Sequence, residues 1–171
     1  MKIKKIAEFC KKEGNIVVYL TSDGPWIGTQ SAIYFTPELN GISEAGLYSI
    51  LDIPENKRDT TPIRYIDSLD IKDINEAVKD EPMDKMTLRL KGRIEIIPLL
   101  GFGGKVALLN SKYLSPLPSD VELFLRSGLV YVKRGMLLIS IISPVIQKSE
   151  QMITELEYVA RHIQDTIEDD V

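Results

Sequence analysis

A strict alternation of apolar and charged residues between positions 88 and 96 constrains this fold more than any other feature of the chain. The apolar positions are Leu88, Leu90, Ile94 and Ile96, and the charged positions between them are Arg89, Lys91, Arg93 and Glu95. Because successive side chains of a β-strand point to opposite faces, this period of two predicts one strand over 88–96. Its apolar face would lie on a core and its charged face in water.

Further strands are predicted from runs rich in β-branched and aromatic residues. Asn15–Thr21 is such a run, Ser22–Pro25 provides a turn, and Trp26–Phe35 is the predicted partner strand. Gly28 within the partner strand indicates a bulge or a close approach by another backbone. The later predicted strands are Lys105–Leu109, Val121–Leu125, Leu129–Lys133 and Met136–Ser143, the last two joined by a turn at Arg134-Gly135.

Three amphipathic helices are predicted at the start, middle and end of the chain. The first ends at Gly14, the second follows Ser43 as its N-cap and covers Glu44–Leu51, and the third begins after Ser149. The apolar stripe of the third helix consists of Met152, Leu156, Val159, Ala160, Ile163 and Ile167. The predicted fold class is therefore α+β, a mainly antiparallel sheet covered by N-terminal, central and C-terminal helices.

A single domain over 1–171 is expected, because 171 residues of which 44% are hydrophobic are enough to bury one core. Within it, 1–64 forms a helix-hairpin-helix half and 87–171 a β-rich half with the C-terminal helix. Between them, residues 65–86 are rich in Asp and Glu and are interpreted as a weakly helical acidic connector. Pro82 is expected to close its helical part.

Charge and composition exclude several classes of protein. A net charge of -4 and a pI near 5.1 do not fit a protein that binds nucleic acid over its whole surface. A lone cysteine fits a reducing compartment. The longest apolar stretch, Met136–Ile142, is much shorter than the ~20 residues of a membrane helix. We therefore expect an unprocessed cytoplasmic protein that makes no membrane contact.

The residues required for catalysis or for binding a metal are scarce. Zinc needs several converging Cys, His or carboxylate ligands, and Cys10 and His162 stand at opposite ends of the chain. Gly104-Lys105 is followed by Val106 where a phosphate-binding loop needs Ser or Thr. No metal, cofactor or catalytic residue is assigned, and a non-enzymatic role is favoured. A pair of carboxylates for magnesium-dependent nuclease chemistry stays open among the 25 acidic residues.

Two surfaces are candidates for binding. A row of carboxylates in the connector can imitate a nucleic-acid backbone and occupy a basic groove of a protein partner, and Trp26 is either a core residue or an interface anchor. The predicted partner-binding residues are Trp26, Tyr34, Lys57, Arg58, Asp67, Asp70, Asp73 and Glu76. The alternative is a phosphate-binding strip, which consists of Arg89, Lys91, Arg93 and Lys105.

Several runs carry a resemblance to a protein family. These are Trp26-Ile27-Gly28, Ala32-Ile33-Tyr34, the run 47–59 and the run 110–117. They resemble small, uncharacterised accessory proteins of phages, prophages and plasmids of Gram-positive bacteria. The resemblance implies a setting in which such proteins inhibit host defence, including anti-CRISPR proteins that block Cas9-type nucleases. It implies no catalytic residues.

A second likeness concerns the fold alone. Tyr113-Leu114, Val121–Leu125 and Met136–Val145 are similar to the closing strands of a bacterial sliding-clamp domain. The expected function is a non-enzymatic, protein-binding accessory factor of a mobile element, in its most specific form an inhibitor of a defence nuclease or its guide-RNA complex. The alternative is a nucleic-acid-binding protein with carboxylate-dependent nuclease activity, and a structural component of a phage particle is a third possibility.

Overall fold

The computed structural model describes residues 1–67, 80–86, 89–101, 105–145 and 158. Two α-helices are present in these ranges, α1 (Ile3–Glu13) and α2 (Glu44–Ile50). Short 3-10 turns cover Pro37–Leu39, Glu55–Lys57 and Ser111–Leu114. The strands are β1 (Ile16–Thr21), β2 (Gly24–Gly28), β3 (Ala32–Phe35), β4 (Ile63–Ile66), β5 (Glu81–Lys85), β6 (Leu90–Lys91), β7 (Glu95–Gly101), β8 (Val106–Asn110), β9 (Glu122–Arg126), β10 (Leu129–Arg134) and β11 (Leu137–Ile142).

All eleven strands belong to one sheet, in the order β4-β1-β2-β3-β11-β10-β9-β5-β7-β6, with β8 also paired to β7. The sheet is mixed, because β4 runs parallel to β1 whereas the other pairs are antiparallel. The predicted α+β domain is therefore mainly sheet, with fewer described helices than expected. The C-terminal helix lies outside the described residues, apart from a helical Tyr158.

The end of α1 and the start of α2 lie where the sequence indicates. Gly14 has φ 67°, a left-handed conformation that glycine adopts without steric cost, and its N–H donates to the Cys10 carbonyl. The Ser43 hydroxyl accepts a hydrogen bond of 3.2 Å from the Gly46 N–H at the start of α2. Local capping chemistry thus fixes the C-terminal end of α1 and the N-terminal end of α2.

The alternating segment 88–96 is not one strand, which corrects the sequence prediction. β6 and β7 form a hairpin with Leu90 opposite Ile96 and Lys91 opposite Glu95, and the chain turns through Gly92–Ile94. Residues that face each other in a hairpin lie on the same face of the sheet. An alternating pattern therefore continues through a tight turn, and its period alone cannot distinguish a hairpin from a strand.

The acidic connector is also corrected where the structure describes it. Its two ends are strands, β4 and β5, and residues 68–79 between them lie outside the described ranges. Pro82, expected to end a helix, lies in β5 opposite Phe124. β5 is held between β7 and β9, and its Met83 side chain is buried. Pairing on both edges of β5 overrides the weak helical pattern.

The main core lies on one face of the sheet, beneath α1 and α2. The helices contribute Ile6, Ala7, Phe9, Cys10, Leu47 and Tyr48 to this core. The chain beyond β11 returns to β8, where the Val145 N–H donates to the Leu108 carbonyl at 2.7 Å. A smaller cluster on the opposite face consists of Trp26, Ile33, Leu138 and Ile141.

Neither described helix has the length and apolar character needed to cross a bilayer.

Candidate protein-binding edge

The first strand in the sheet order, β4, has a partner on one side only within the described chain. It pairs with β1, with Val18 beside Tyr65 and Tyr19 beside Ile66. No other described strand pairs with β4. Its second edge therefore carries backbone N–H and C=O groups that a further strand could use.

Exposed apolar side chains surround this edge. Tyr65 is 43% exposed, Ile66 is 37% exposed, and Leu20 at the end of β1 is 46% exposed. Sheet edges that face water are normally protected by charged residues, prolines or bulges, and an exposed apolar edge is a site for pairing with another chain. The four-residue length of β4 limits how far such pairing can extend.

An open pocket of about 650 Å³ lies between α2 and the chain that leads into β4. It is lined by Glu44, Ala45, Tyr48, Arg58, Asp59 and Pro62. The Arg58 guanidinium lies 5.1 Å from the centroid of the Tyr48 ring, and its Nη1 lies 3.6 Å from Glu55 Oε1. These two contacts hold the Arg58 side chain against the wall of the pocket.

The remaining charges of the pocket are carboxylates. Glu44 and Asp59 are exposed, and neither has an ion pair within the described ranges. Tyr65 follows Pro62, which lines the pocket, and it pairs with Val18 of the main core, so it lies on the helix side of β4. Burial and the negative charge of Glu44 raise the pKa of Tyr65. With Arg58 matched by Glu55, the pocket therefore has an excess of negative charge next to an exposed aromatic ring.

The structure brings three of the predicted partner-binding residues to this region. Lys57 and Arg58 lie on the chain leading to β4, and Asp67 follows β4 directly and is exposed. Asp70, Asp73 and Glu76 lie outside the described residues.

Trp26 and Tyr34 do not contribute to an accessible surface, which corrects their assignment as contact residues. Trp26 is 4% exposed and lies against Phe35, and Tyr34 is 0% exposed in the main core. The Tyr34 hydroxyl donates to the Tyr113 carbonyl at 2.8 Å. The core interpretation of Trp26 is the one that its burial supports, because large aromatic rings release the most apolar surface from water when they pack inside.

The predicted phosphate-binding strip is not brought together on one strand face. Arg89 precedes β6 and lies 3.8 Å from Glu95, whereas Arg93 lies in the turn before β7. Lys105 Nζ lies 2.6 Å from Glu81 Oε2 and is partly neutralised by it. Lys91 is in β6, and its side chain is outside the described part. Two of the four cations are thus occupied by carboxylates.

A charged cluster inside the protein is the clearest feature that sequence reasoning missed. Asp80 accepts hydrogen bonds from Arg126 Nε and Lys133 Nζ, and the side chains of Asp80 and Arg126 are 4% and 2% exposed. Arg126 also lies over the Tyr131 ring, and Lys133 over the Phe124 ring. Burial raises the pKa of Asp80, but the hydrogen bonds from Arg126 and Lys133 outweigh it and bring this pKa below its ordinary value.

This cluster ties β5 to β9 and β10 and has no open pocket of its own among the described cavities. Nor do the described side chains include a group of three or more metal-ligating residues.

The sequence prediction places no strand at β4, because residues 63–66 span the boundary between the helix-hairpin-helix half and the acidic connector. Ile63-Arg64-Tyr65-Ile66 is rich in β-branched and aromatic residues and follows Pro62, a pattern that favours a strand. That signal was available in the sequence. The position of this strand at the end of the sheet was not available in the sequence, because it depends on pairing with β1.

Comparison with known proteins finds no family model, no curated protein and no solved structure that matches this chain significantly.

Proposed function

We propose that this chain is a non-enzymatic binding protein that captures a protein partner by strand addition at β4. The observation that carries the proposal is the edge of β4 that pairs with no other described strand, with Tyr65 and Ile66 exposed on its two faces. Strand addition uses backbone hydrogen bonds for affinity and alternate side chains for specificity. The exposed ring of Tyr65 and the branched side chain of Ile66 supply apolar area for such a complex.

The partner that we propose is a Cas9-type defence nuclease or its guide-RNA complex, as expected for an accessory protein of a mobile element. The acidic run that starts at Asp67 supports an electrostatic match with the basic grooves of such nucleases. The paired cations Arg89 and Lys105 give the nucleic-acid alternative no comparable support.

The test is co-migration of the purified chain with a Cas9-type nuclease, with and without guide RNA, on gel filtration. A double variant, Tyr65→Ser with Ile66→Ser, should abolish co-migration because it removes the exposed apolar side chains of β4. Both residues are exposed, so the fold should be kept.

A matched control exists at another pair of adjacent, exposed apolar residues. Met136 and Leu137, at the β10–β11 turn, are 103% and 55% exposed. Met136→Ser with Leu137→Ser should leave the complex intact. Equal loss of binding in both double variants, or separate elution of the native chain from every nuclease tested, contradicts the proposal.

A further inference from the structure

We infer that the segment captured at β4 is extended and cationic, and that one of its Lys or Arg side chains enters the pocket between α2 and β4. This inference rests on the proposed strand addition and specifies the chemistry of the partner. It is carried by the juxtaposition of an unpaired strand edge, an exposed tyrosine ring and a pocket with two carboxylates that lack ion pairs in the described chain.

The pocket and Tyr65 lie on the same face of the sheet. Tyr65 pairs with Val18, which belongs to the main core beneath the helices, so Tyr65 points to the helix side of β4. Pro62, three residues before Tyr65, lines the pocket, which agrees with this placement. An added strand would direct every second side chain to this face, next to the pocket.

The charge of the pocket selects a cation. Arg58 is matched by Glu55 at 3.6 Å, which leaves Glu44 and Asp59 to attract a charge of opposite sign. The exposed ring of Tyr65 offers a face for an ammonium or guanidinium group. The stacking of Arg58 on Tyr48 at 5.1 Å shows the same kind of contact within the chain.

A second copy of this chain does not supply that cation. Arg64, the only basic residue of β4, pairs with Val17 and points to the face opposite Tyr65. A symmetric antiparallel pair in one continuous sheet keeps each face on its own side. Arg64 of a second copy would therefore lie away from the pocket, which would face Ile63 and Tyr65 instead.

The probes are three fluorescent heptapeptides of alternating sequence: lysine–valine, glutamate–valine and threonine–valine. They share strand-forming valines and differ only in charge. Binding is measured by anisotropy at low ionic strength, where electrostatic attraction is least screened. Hydrogen exchange of the β4 amides reports whether the peptide occupies the edge. The lysine peptide should bind more tightly than the other two and should slow exchange at β4.

A double variant, Glu44→Gln with Asp59→Asn, should weaken binding of the lysine peptide by about fivefold to tenfold. The control is Asp23→Asn with Glu38→Gln, two exposed carboxylates that do not line the pocket and whose substitution removes the same net charge. This control should leave the affinity unchanged, which separates the pocket from general attraction to an acidic protein.

The outcomes separate this inference from the proposal beneath it. If the threonine or glutamate peptide binds as tightly and protects β4, the cationic segment is wrong and strand addition stands. The cationic segment is also wrong if the Glu44→Gln, Asp59→Asn variant binds the lysine peptide as tightly as the Asp23→Asn, Glu38→Gln control does. If no peptide protects the β4 amides, and the Tyr65 and Ile66 substitutions leave co-migration with the nuclease unchanged, strand addition itself is wrong. A dimer with protected β4 amides would make a second copy the occupant.

Discussion

Glu13 and Tyr113 join the N-terminal helix to the second half of the sheet. The Tyr113 hydroxyl donates to Glu13 Oε1 at 2.8 Å, and Lys112 Nζ donates to the same oxygen at 2.7 Å. Burial raises the pKa of Glu13, but the hydrogen bonds from Lys112 and Tyr113 outweigh it and bring this pKa below its ordinary value. The α1 helix is thus held to the sheet by a charge-assisted contact as well as by its apolar face.

Removing the Tyr113 hydroxyl should destabilise the protein without changing its fold. The Tyr113→Phe variant deletes one hydrogen bond to a charged acceptor, and we expect a loss of about 2 kcal/mol in the free energy of unfolding. Urea unfolding at neutral pH measures this loss. Tyr65→Phe is the control, because Tyr65 is 43% exposed, and its unfolding midpoint should match that of the native chain. An equal loss in both variants would contradict the role of the Glu13 contact.

The stability of the protein should fall in acid because of Glu13 and Asp80. Both carboxyl groups have folded-state pKa values below their ordinary values of 4.5 and 3.8. Their charged forms therefore stabilise the fold fully above pH 4.5, and this contribution is lost as the pH falls through the lower folded-state pKa values. Urea unfolding measured from neutral to acid pH should show this decline, and a flat profile would contradict it.

The Asp80→Asn variant should both destabilise the protein and flatten its acid profile. The substitution removes the carboxylate that Arg126 and Lys133 share in the interior. We expect a loss of about 3 kcal/mol at neutral pH, the usual cost of breaking a buried ion pair. Asp120→Asn is the control, since the pair of Asp120 with Arg134 is 58% and 59% exposed. Its unfolding midpoint should not move.

A methyl group at Gly28 should not fit. A Cβ added there would lie 2.0 Å from the Ala32 carbonyl oxygen and 2.9 Å from Ile33 Cα, both in the backbone of the neighbouring hairpin strand. Gly28→Ala should therefore cost about 1–3 kcal/mol in the free energy of unfolding.

Gly92→Ala provides the control for this prediction. The nearest atom to a Cβ at Gly92 is the Ile94 carbonyl oxygen at 3.9 Å, an ordinary contact. Thermal unfolding followed by circular dichroism should show a lower midpoint for Gly28→Ala only. If both variants unfold at the same temperature as the native chain, the close approach at Gly28 is wrong.

The thiol of Cys10 should be inert in the folded protein. Burial, and to a smaller extent the charge of Glu13, raise the pKa of Cys10 to about 12, and its side chain is 0% exposed. At mildly alkaline pH the thiol is thus protonated and inaccessible, and only the thiolate attacks disulfide reagents. A colorimetric thiol reagent should react only after urea is added. Rapid labelling of the native chain would contradict this prediction.

Much of the local structure follows from the sequence, as individual elements show. Gly14 ends α1 and Ser43 caps α2 as predicted, because capping depends on residues within one helical turn. The close approach predicted at Gly28 is present. The β10–β11 hairpin also lies where the turn at Arg134-Gly135 indicates. Each of these features is decided by neighbours a few residues apart.

The candidate site, in contrast, depends on pairing between distant parts of the chain. β4 has a readable strand pattern, but only its parallel pairing with β1 makes it the end of the sheet. The burial of Trp26 likewise depends on Leu138 and Ile141 from the far end of the chain. No periodicity along 20–30 residues contains this information, since β1 and β4 begin 47 positions apart and Trp26 stands 112 positions before Leu138.

The amino-acid sequence by itself therefore determined where α1 ends, where α2 begins and which runs prefer an extended backbone. The tertiary structure alone decided that positions 88–96 form a hairpin, that Asp80 is enclosed by Arg126 and Lys133, and that β4 is exposed. The physical reason is the distance along the chain over which each interaction acts. Backbone preference acts between close neighbours, whereas burial and edge position result from the packing of the whole sheet.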